Sequence, residues 1–232
     1  MFFYYFDRYY WILIVPALLF AIWAQSRVST TYRKYSQVRS ARGMTAAQVC
    51  RQILDENGLF QIRIERVAGN LTDHYDPSKE VLNLSDGVYS SNSIAAMGIA
   101  AHEAGHAMQK LENYAPLNLR SAIVPAVNIC SSLSTPMFIL GLIFAWQPLV
   151  YIGIGLFAAS TVFALVTLPV EFDASKRAIQ MLSEGGYISG AEEERNVRKV
   201  LSAAALTYVA AAVTSLLSLL RLILIAKRND RN

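Results

Sequence analysis

The sequence predicts a mostly α-helical integral membrane protein with about four transmembrane helices and a small α+β domain. Hydrophobic residues make up 54% of the 232 residues, and charged residues make up only 16%, against about 25% in soluble globular proteins. The apolar residues are concentrated in long stretches that are separated by polar segments. The net charge of +4 is too small a surplus of basic residues to indicate binding of nucleic acid.

The apolar stretches give the expected transmembrane helices, since a spanning helix needs about 20 apolar residues. The first runs from Tyr9 to Ala24 behind the aromatic residues Phe2–Phe6, and no cleavage site follows it, so we expect a retained anchor rather than a signal peptide. Residues 121–170 are long enough for a transmembrane helical hairpin. The last stretch, Ala203–Ala226, contains Arg221, which we expect to snorkel to the membrane interface.

These stretches divide the chain into five segments. The first transmembrane helix covers 1–26, and the fourth, with a short tail, covers 203–232. Between them lie the hairpin of 121–170 and two polar segments, 27–120 and 171–202, which four spans place on the same side of the membrane.

Lysine and arginine near the spans predict the orientation. The polar side carries Arg27, Arg33, Lys34, Arg39, Arg42, Lys176, Arg177, Arg195, Arg198 and Lys199. The opposite side carries Arg8, Lys227, Arg228 and Arg231, and its C-terminal cluster opposes the bias. The balance predicts that both polar segments are cytoplasmic.

The first polar segment begins with two expected helices. Residues 27–42 continue the first span into water, where basic side chains meet lipid phosphates, and Gly43 ends this helix. The pair Thr45 and Gln48 fits a capping box at the start of the next helix. Asn57, followed by glycine, provides its stop.

Two short strands follow in the sequence. Gln61–Val67 alternates apolar and charged residues, which predicts a half-buried strand, and Glu80–Ser85 predicts a second one. The sheet therefore has three strands at most. Farther along, Ser189 and Glu192 fit another capping box, at the start of the helix that leads into the last span.

Two of the three histidines carry the clearest chemical signal. His102 and His106 stand four residues apart, so on a helix both imidazoles share one face, and Glu103 lies beside the first. Ser91 or Ser93 can cap the start of such a helix. This is the HExxH arrangement of zinc peptidases. The alternative is a helix whose two histidines and glutamate merely bond one another.

A catalytic zinc site usually needs a third protein ligand. His74 is one option, and Glu171 is the better one, because the two antiparallel spans return the chain to the membrane side where the histidine helix ends. The alternative for Glu171 is an interfacial carboxylate that pairs with Lys176 or Arg177.

Three separated motifs give a resemblance that covers nearly the whole chain. Asn70–Pro77, Ala101–Ala107 and Leu168–Ser175 resemble the YugP-like neutral zinc metallopeptidases of bacterial membranes. The chain is more distantly similar to HtpX-type membrane proteases, which have four spans and a cytoplasmic gluzincin site. The resemblance implies a zincin-like catalytic domain in 27–120 and a third-ligand segment in 171–202. It implies that Zn²⁺ is held by His102, His106 and Glu171, with Glu103 as the catalytic acid/base.

The chain departs from the gluzincin pattern at one position. Gluzincins often carry an aspartate four residues after the ligand glutamate, where it orients a ligand histidine. Here that position is Ser175, and the nearest aspartate is Asp173. Which of the two takes this role is open at the level of sequence.

The expected chemistry is metal-assisted amide hydrolysis in which Glu103 moves a proton from water to the leaving amine. His74 and Tyr75 are the candidates for stabilising the oxyanion, and the alternative is that both hold the turn between the strands. The strand Val81–Ser85 either offers its edge to an extended substrate or is an inner strand.

The leading hypothesis is a membrane-embedded zinc endopeptidase that acts on protein or peptide substrates at the cytoplasmic face, by analogy on misfolded membrane proteins. An intramembrane-cleaving metalloprotease is an alternative, which Lys110 and Glu112 beside the motif disfavour. A non-catalytic membrane scaffold with a structural zinc is another, which Glu103 disfavours because a structural site needs no general base.

Overall fold

A computed structural model describes residues 7–229, so Phe2–Phe6 and Arg231 lie outside the described residues. The described chain is mostly helical. A π-helical segment, Tyr10–Ile14, leads into the first helix. The helices are α1 Val15–Tyr35, α2 Ala46–Glu56, α3 Asp86–Tyr89, α4 Ile94–Leu111, α5 Ala115–Ile143, α6 Gln147–Glu184 and α7 Gly190–Asn229, and the strands are β1 Arg63–Val67, β2 His74–Asp76 and β3 Val81–Ser85.

Four helical stretches are long and apolar enough to cross a membrane. They are Tyr10–Tyr35, Ala115–Ile143, Gln147–Glu184 and Gly190–Arg228. Between 11% and 22% of the residues in their most apolar windows are buried, so most of these apolar side chains face outward, as lipid-facing side chains do. The predicted fold class, a helical membrane protein with a small α+β domain, is confirmed.

The chain forms two compact units. The membrane unit consists of residues 118–169 with the described parts of 1–25 and 207–232. The polar unit consists of Ser26–Leu117 and Val170–Leu206. All of the residues that the sequence predicts to bind metal or to take part in catalysis lie in the polar unit.

Glycines let the two helices of the hairpin approach closely in the membrane unit. A Cβ atom on Gly141 would lie 2.6 Å from the backbone nitrogen of Val150, and one on Gly153 would lie 2.6 Å from that of Phe138. Small residues are common where membrane helices pack, because lipid provides no hydrophobic drive for association and close contact must provide it. The predicted antiparallel hairpin therefore packs backbone against backbone.

Arg221 forms an ion pair that the sequence did not predict. Its guanidinium lies 3.0 Å from the carboxylate of Asp7, and the two side chains are 12% and 2% exposed. The guanidinium also lies over the ring of Tyr10, 5.4 Å from the centroid. The ion pair and the aromatic face both stabilise this largely buried guanidinium.

The polar unit contains a mixed three-stranded sheet in the order β1-β3-β2. β1 pairs with β3 in parallel, and β2 pairs with β3 antiparallel. Of the two alternatives for Val81–Ser85, the inner strand is the one that the structure shows, because both edges of β3 are paired. The short strand β2 is an edge strand instead.

The predicted capping box at the start of α2 is confirmed. The amide of Gln48 donates to the hydroxyl of Thr45 at 3.3 Å, and the Gln48 side chain accepts from the Thr45 amide at 2.9 Å. α2 packs against the sheet and α4 in one core, which includes Val49, Ile53 and Leu84. This core holds α4 in place.

One helix boundary and one capping contact differ from expectation. α1 ends at Tyr35 rather than near Gly43, because the chain beyond it leaves the helix and Arg39 forms a β-bridge with Ser93. α7 begins after Ser189 as predicted, but the carboxylate that accepts from the Ser189 amide, at 2.7 Å, belongs to Glu193 rather than Glu192.

Candidate metal centre

Helix α4 presents the two histidines. The hydroxyl of Ser93 accepts from the amide of Ala96 at 3.2 Å and caps the first turn, which settles the choice between Ser91 and Ser93. The helix is rich in alanine and buried along most of its length. His102 and His106 lie on one face, with their ring centroids 4.8 Å apart.

Gly105 brings α6 against this helix. A Cβ atom at this position would lie 2.7 Å from the carbonyl oxygen of Ala174, so only glycine permits the observed approach. Glu171 lies nearly one turn before Ala174 on α6. The close crossing therefore brings the Glu171 carboxylate to the histidine face of α4.

His102, His106 and Glu171 converge. The carboxylate oxygen Oε2 of Glu171 lies 3.2 Å from Nε2 of His102 and 3.7 Å from Nε2 of His106. One ligand atom from each residue lies within 4.8 Å of the others, and among the described residues these three form the group that could hold a metal ion. Two imidazoles and one carboxylate are a donor set of catalytic zinc sites, so the residues fit this ion.

The contacts of Glu171 with the two histidines favour the ligand role over the alternative, which was pairing with Lys176 or Arg177. Arg177 lies 2.6 Å from Asp173 and 2.8 Å from Glu112. The Glu171 side chain is 3% exposed and faces the two histidines. A buried carboxylate in this position is available to a cation that binds between the imidazoles.

The charges around His106 favour a positive ion at this point. Burial acts to lower the pKa of His106, but hydrogen bonding to Glu171 and the negative charges of Glu103 and Glu171 outweigh it, and the pKa lies above its ordinary value. The same negative charges also favour a metal cation that binds between the two imidazoles.

Each histidine is oriented through its second ring nitrogen. The hydroxyl of Ser175 lies 3.2 Å from Nδ1 of His102. The side-chain oxygen of Gln109 lies 3.0 Å from Nδ1 of His106, and the nitrogen of the same amide donates at 2.8 Å to Asp173. Ser175 therefore contacts one histidine directly, whereas Asp173 acts on the other through Gln109.

Sequence reasoning missed Gln109. It is fully buried, and its side-chain nitrogen also donates to the backbone carbonyl of Val170 at 2.8 Å. The sequence feature that could have indicated this role is an amide side chain three residues after His106, on the same helix face and among apolar residues. Such a buried amide needs partners, because an unpaired polar group is costly to bury.

Glu103 lies at the edge of the sheet. Its side chain is buried, and Oε2 accepts from the backbone amide of Tyr75 at 3.0 Å. Tyr75 lies in β2 and pairs in register with Leu82 of β3. The Tyr75 amide points away from β3, so β2 directs one backbone donor to the predicted catalytic carboxylate.

His74 lies outside the histidine–glutamate group. Its side chain is exposed, Nδ1 lies 2.8 Å from the carbonyl oxygen of Thr72, and Nε2 lies 3.2 Å from the side-chain nitrogen of Asn83. The neighbouring Asp73 accepts from the amide of Ser85 at 2.7 Å. These bonds hold the turn, as one alternative proposed, and they leave the predicted oxyanion role of His74 as a prediction.

The chain is similar to proteins that are described as zinc metallopeptidases or membrane proteases. A family model described as "Putative neutral zinc metallopeptidase" matches residues 10–227. The "Putative membrane protease YugP" of Bacillus subtilis (strain 168) is 48% identical over 213 residues, which cover 92% of this chain and 94% of that relative. No solved structure matches the chain.

Proposed function

Because the chain belongs to the neutral zinc metallopeptidase family, we propose that it is a membrane-embedded zinc endopeptidase that hydrolyses peptide bonds at the cytoplasmic face. The observation that carries this proposal is the convergence of His102, His106 and Glu171 beside the buried carboxylate of Glu103. A structural metal site has no need of an adjacent general base.

The three converging residues would hold the zinc ion through Nε2 of each histidine and the Glu171 carboxylate. When bound, zinc would polarise the scissile carbonyl and make water more acidic. Ser175 and Gln109 contact the Nδ1 atoms of the two imidazole rings, so that each Nε2 faces the site. Such contacts set the tautomer and the ring orientation of a ligand histidine.

Glu103 would transfer the proton. As the residue after His102, it projects from α4 beside the proposed metal position, where it can accept a proton from the attacking water. It would then give this proton to the departing amine. The Tyr75 amide, which donates to Oε2 at 3.0 Å, holds this carboxylate in position.

The edge strand β2 would bind the substrate. One of its edges pairs with β3, and the other carries the Tyr75 amide toward Glu103. An extended peptide that lies along this edge would pass the proposed site. The proposed substrates are therefore unfolded or extended segments of proteins, and by analogy misfolded membrane proteins.

The cytoplasmic orientation follows from the basic residues that flank the spans on the side of the polar unit. Four helices are long and apolar enough to cross the membrane, and four spans would place both segments of the polar unit on one side. A protease-accessibility assay on intact cells or right-side-out vesicles, with a tag inserted after Gly43, tests this orientation. Protection of the tag supports it, and cleavage of the tag from outside contradicts it.

The variants Glu103→Gln and Glu171→Ala test the proposed mechanism in the full chain purified in detergent. Glu103→Gln is expected to retain zinc and lose cleavage of a fluorogenic peptide by at least about 10³-fold, since it lacks the base. Glu171→Ala is expected to lose zinc. The measurements are metal content by mass spectrometry and the rate of cleavage.

Unchanged cleavage by Glu103→Gln would remove this residue from the mechanism. Full zinc occupancy without cleavage by the wild-type chain would favour a scaffold with a structural zinc. Lys176→Gln is the matched control, because this exposed side chain lies on the same helix as Glu171 but outside the site.

A further inference from the structure

A cavity of about 560 Å³ lies between α1 and the N-terminal half of α7 in the polar unit. Its volume falls in the range of about 300–1,000 Å³ that is usual for sites of small molecules. No acidic side chain is among its lining residues within the described chain. Five basic side chains line it, those of Arg27, Lys34, Arg195, Arg198 and Lys199.

Two of these cations converge on one buried ring. The ammonium of Lys34 lies 5.4 Å from the ring centroid of Tyr35, and that of Lys199 lies 6.0 Å from the same centroid. The ring attracts both cations, but the two like charges repel each other. Arg198 pairs with Glu194 at 2.8 Å, so a carboxylate neighbours one member of the group. An anion in the cavity would relieve the remaining repulsion.

The cavity also combines polar and apolar groups in a definite order along α7. Ser202 contributes a hydroxyl, whereas Ala203 and Leu206 line the end at which the apolar stretch of this helix begins. On α1, Arg27 lies just beyond the apolar stretch, and Thr30 supplies another hydroxyl. Arg27 and Ser202 therefore lie next to the apolar stretches of their helices, and Thr30, Lys34 and Lys199 follow on the polar side.

We propose that this cavity binds the headgroup phosphate of an anionic phospholipid from the surrounding leaflet. The cations and hydroxyls match the phosphate oxygens, and basic pockets between membrane helices on the cytoplasmic side are suited to such headgroups. The apolar end formed by Ala203 and Leu206 suits the glycerol and the first part of an acyl chain. A free phosphate ion has no apolar part that would contact that end.

Lipid retention by the full chain tests the proposal. The protein is purified in detergent, and native mass spectrometry measures its binding of dioleoylphosphatidylglycerol and dioleoylphosphatidylcholine, with inorganic phosphate as a competitor. The anionic lipid is expected to bind at least tenfold more tightly than the zwitterionic one. The double variant Lys34→Gln/Lys199→Gln should weaken the anionic lipid at least tenfold, since each basic group near the headgroups contributes about fivefold.

The control is the double variant Arg33→Gln/Lys176→Gln, which removes two exposed basic side chains of the same unit outside the cavity. It should bind the anionic lipid as the wild type does. Both variants are expected to fold, because all four side chains are exposed. Thermal unfolding checks this.

Equal retention of the two lipids, or an equal loss in both double variants, would overturn the proposal. Displacement of the anionic lipid by inorganic phosphate would assign the cavity to a free anion and overturn the lipid assignment. The readout is independent of peptide cleavage, so the proposed enzymatic function can fail without affecting this result.

Discussion

The side-chain amide of Gln109 connects His106 to Asp173. Its oxygen lies 3.0 Å from Nδ1 of the histidine, and its nitrogen donates to the aspartate at 2.8 Å. Arg177 in turn holds Asp173 at 2.6 Å. Asp173 therefore acts on His106 through a buried amide, whereas Ser175 contacts His102 directly.

Gln109→Met should weaken zinc binding about 10–100-fold, the usual cost of losing a partner behind a ligand histidine. Methionine preserves the length of the side chain and removes all three of its hydrogen bonds. Chelator competition measures the affinity, and Gln180→Met, an exposed change on α6, is the control. Unaltered affinity in Gln109→Met would show that the His106 ring is held in another way.

Gly105→Ala should separate α4 from α6, because the added methyl would lie 2.7 Å from the Ala174 carbonyl oxygen. We expect a loss of about 1–3 kcal/mol of stability together with reduced zinc retention. Thermal unfolding and metal analysis measure these effects.

Gly155→Ala is the matched control for this change, since a Cβ atom there meets no atom within 4 Å. Helix propensity alone would make it neutral or more stable by about 0.5–1 kcal/mol. If both variants behave alike, the close approach at Gly105 does not determine the geometry of the site.

The stability of the metal-free protein should decrease as the pH rises above 6.5. The pKa of His106 lies above its ordinary 6.5, so its protonated form is favoured by folding. This contribution is fully present below 6.5 and is lost as the pH rises through the folded-state pKa. Zinc requires the neutral ring, so zinc affinity should increase over the same range.

Thermal unfolding in chelator and zinc titration across this pH range measure the two opposite trends. Glu171→Gln removes the carboxylate that raises the pKa, and its metal-free stability should depend less on pH. A stability that increases with pH in the metal-free wild type would contradict the assignment.

His74→Ala should lower kcat about 100-fold without loss of zinc if the imidazole stabilises the oxyanion, as the sequence predicts. Asn83→Ala removes a partner of the ring but keeps the imidazole, so its effect should be smaller. Cleavage assays and metal analysis separate the roles. Loss of zinc would make His74 a ligand, and unchanged cleavage would confine it to holding the turn.

Arg221→Met should destabilise the protein by about 3–5 kcal/mol, because it leaves the buried carboxylate of Asp7 without its cation. Thermal unfolding in detergent measures the loss. The double variant Asp7→Asn/Arg221→Met should recover most of it, and Arg8→Gln, at an exposed position, should have little effect. A double variant that is no more stable than the single one would contradict the ion-pair explanation.

The sequence predicted the features that depend on spacing and on chain direction. The four-residue interval places His102 and His106 on one helix face, and the return of the hairpin predicted that Glu171 comes near them. The apolar stretches predicted the four spans. These features are local, or they follow from the membrane, which restricts how the chain can run.

Features that depend on long-range pairing were harder to predict. The parallel pairing of β1 with β3 makes β3 central, and no local pattern distinguishes this from an edge position. The end of α1 at Tyr35 depends on a bridge between Arg39 and Ser93, which are distant in sequence. Gln109 belongs to no ligand pattern, because its role depends on Asp173 in another helix.

The position of β3 inside the sheet limits what the proposed enzyme can cleave. The three residues of β2 offer an edge only about 10 Å long, at roughly 3.3 Å for each residue. Such a short edge would contact few residues of the substrate, and it would accept only a locally unfolded segment. Selectivity would then come from which polypeptides expose a loosened stretch near the bilayer, rather than from a consensus around the scissile bond.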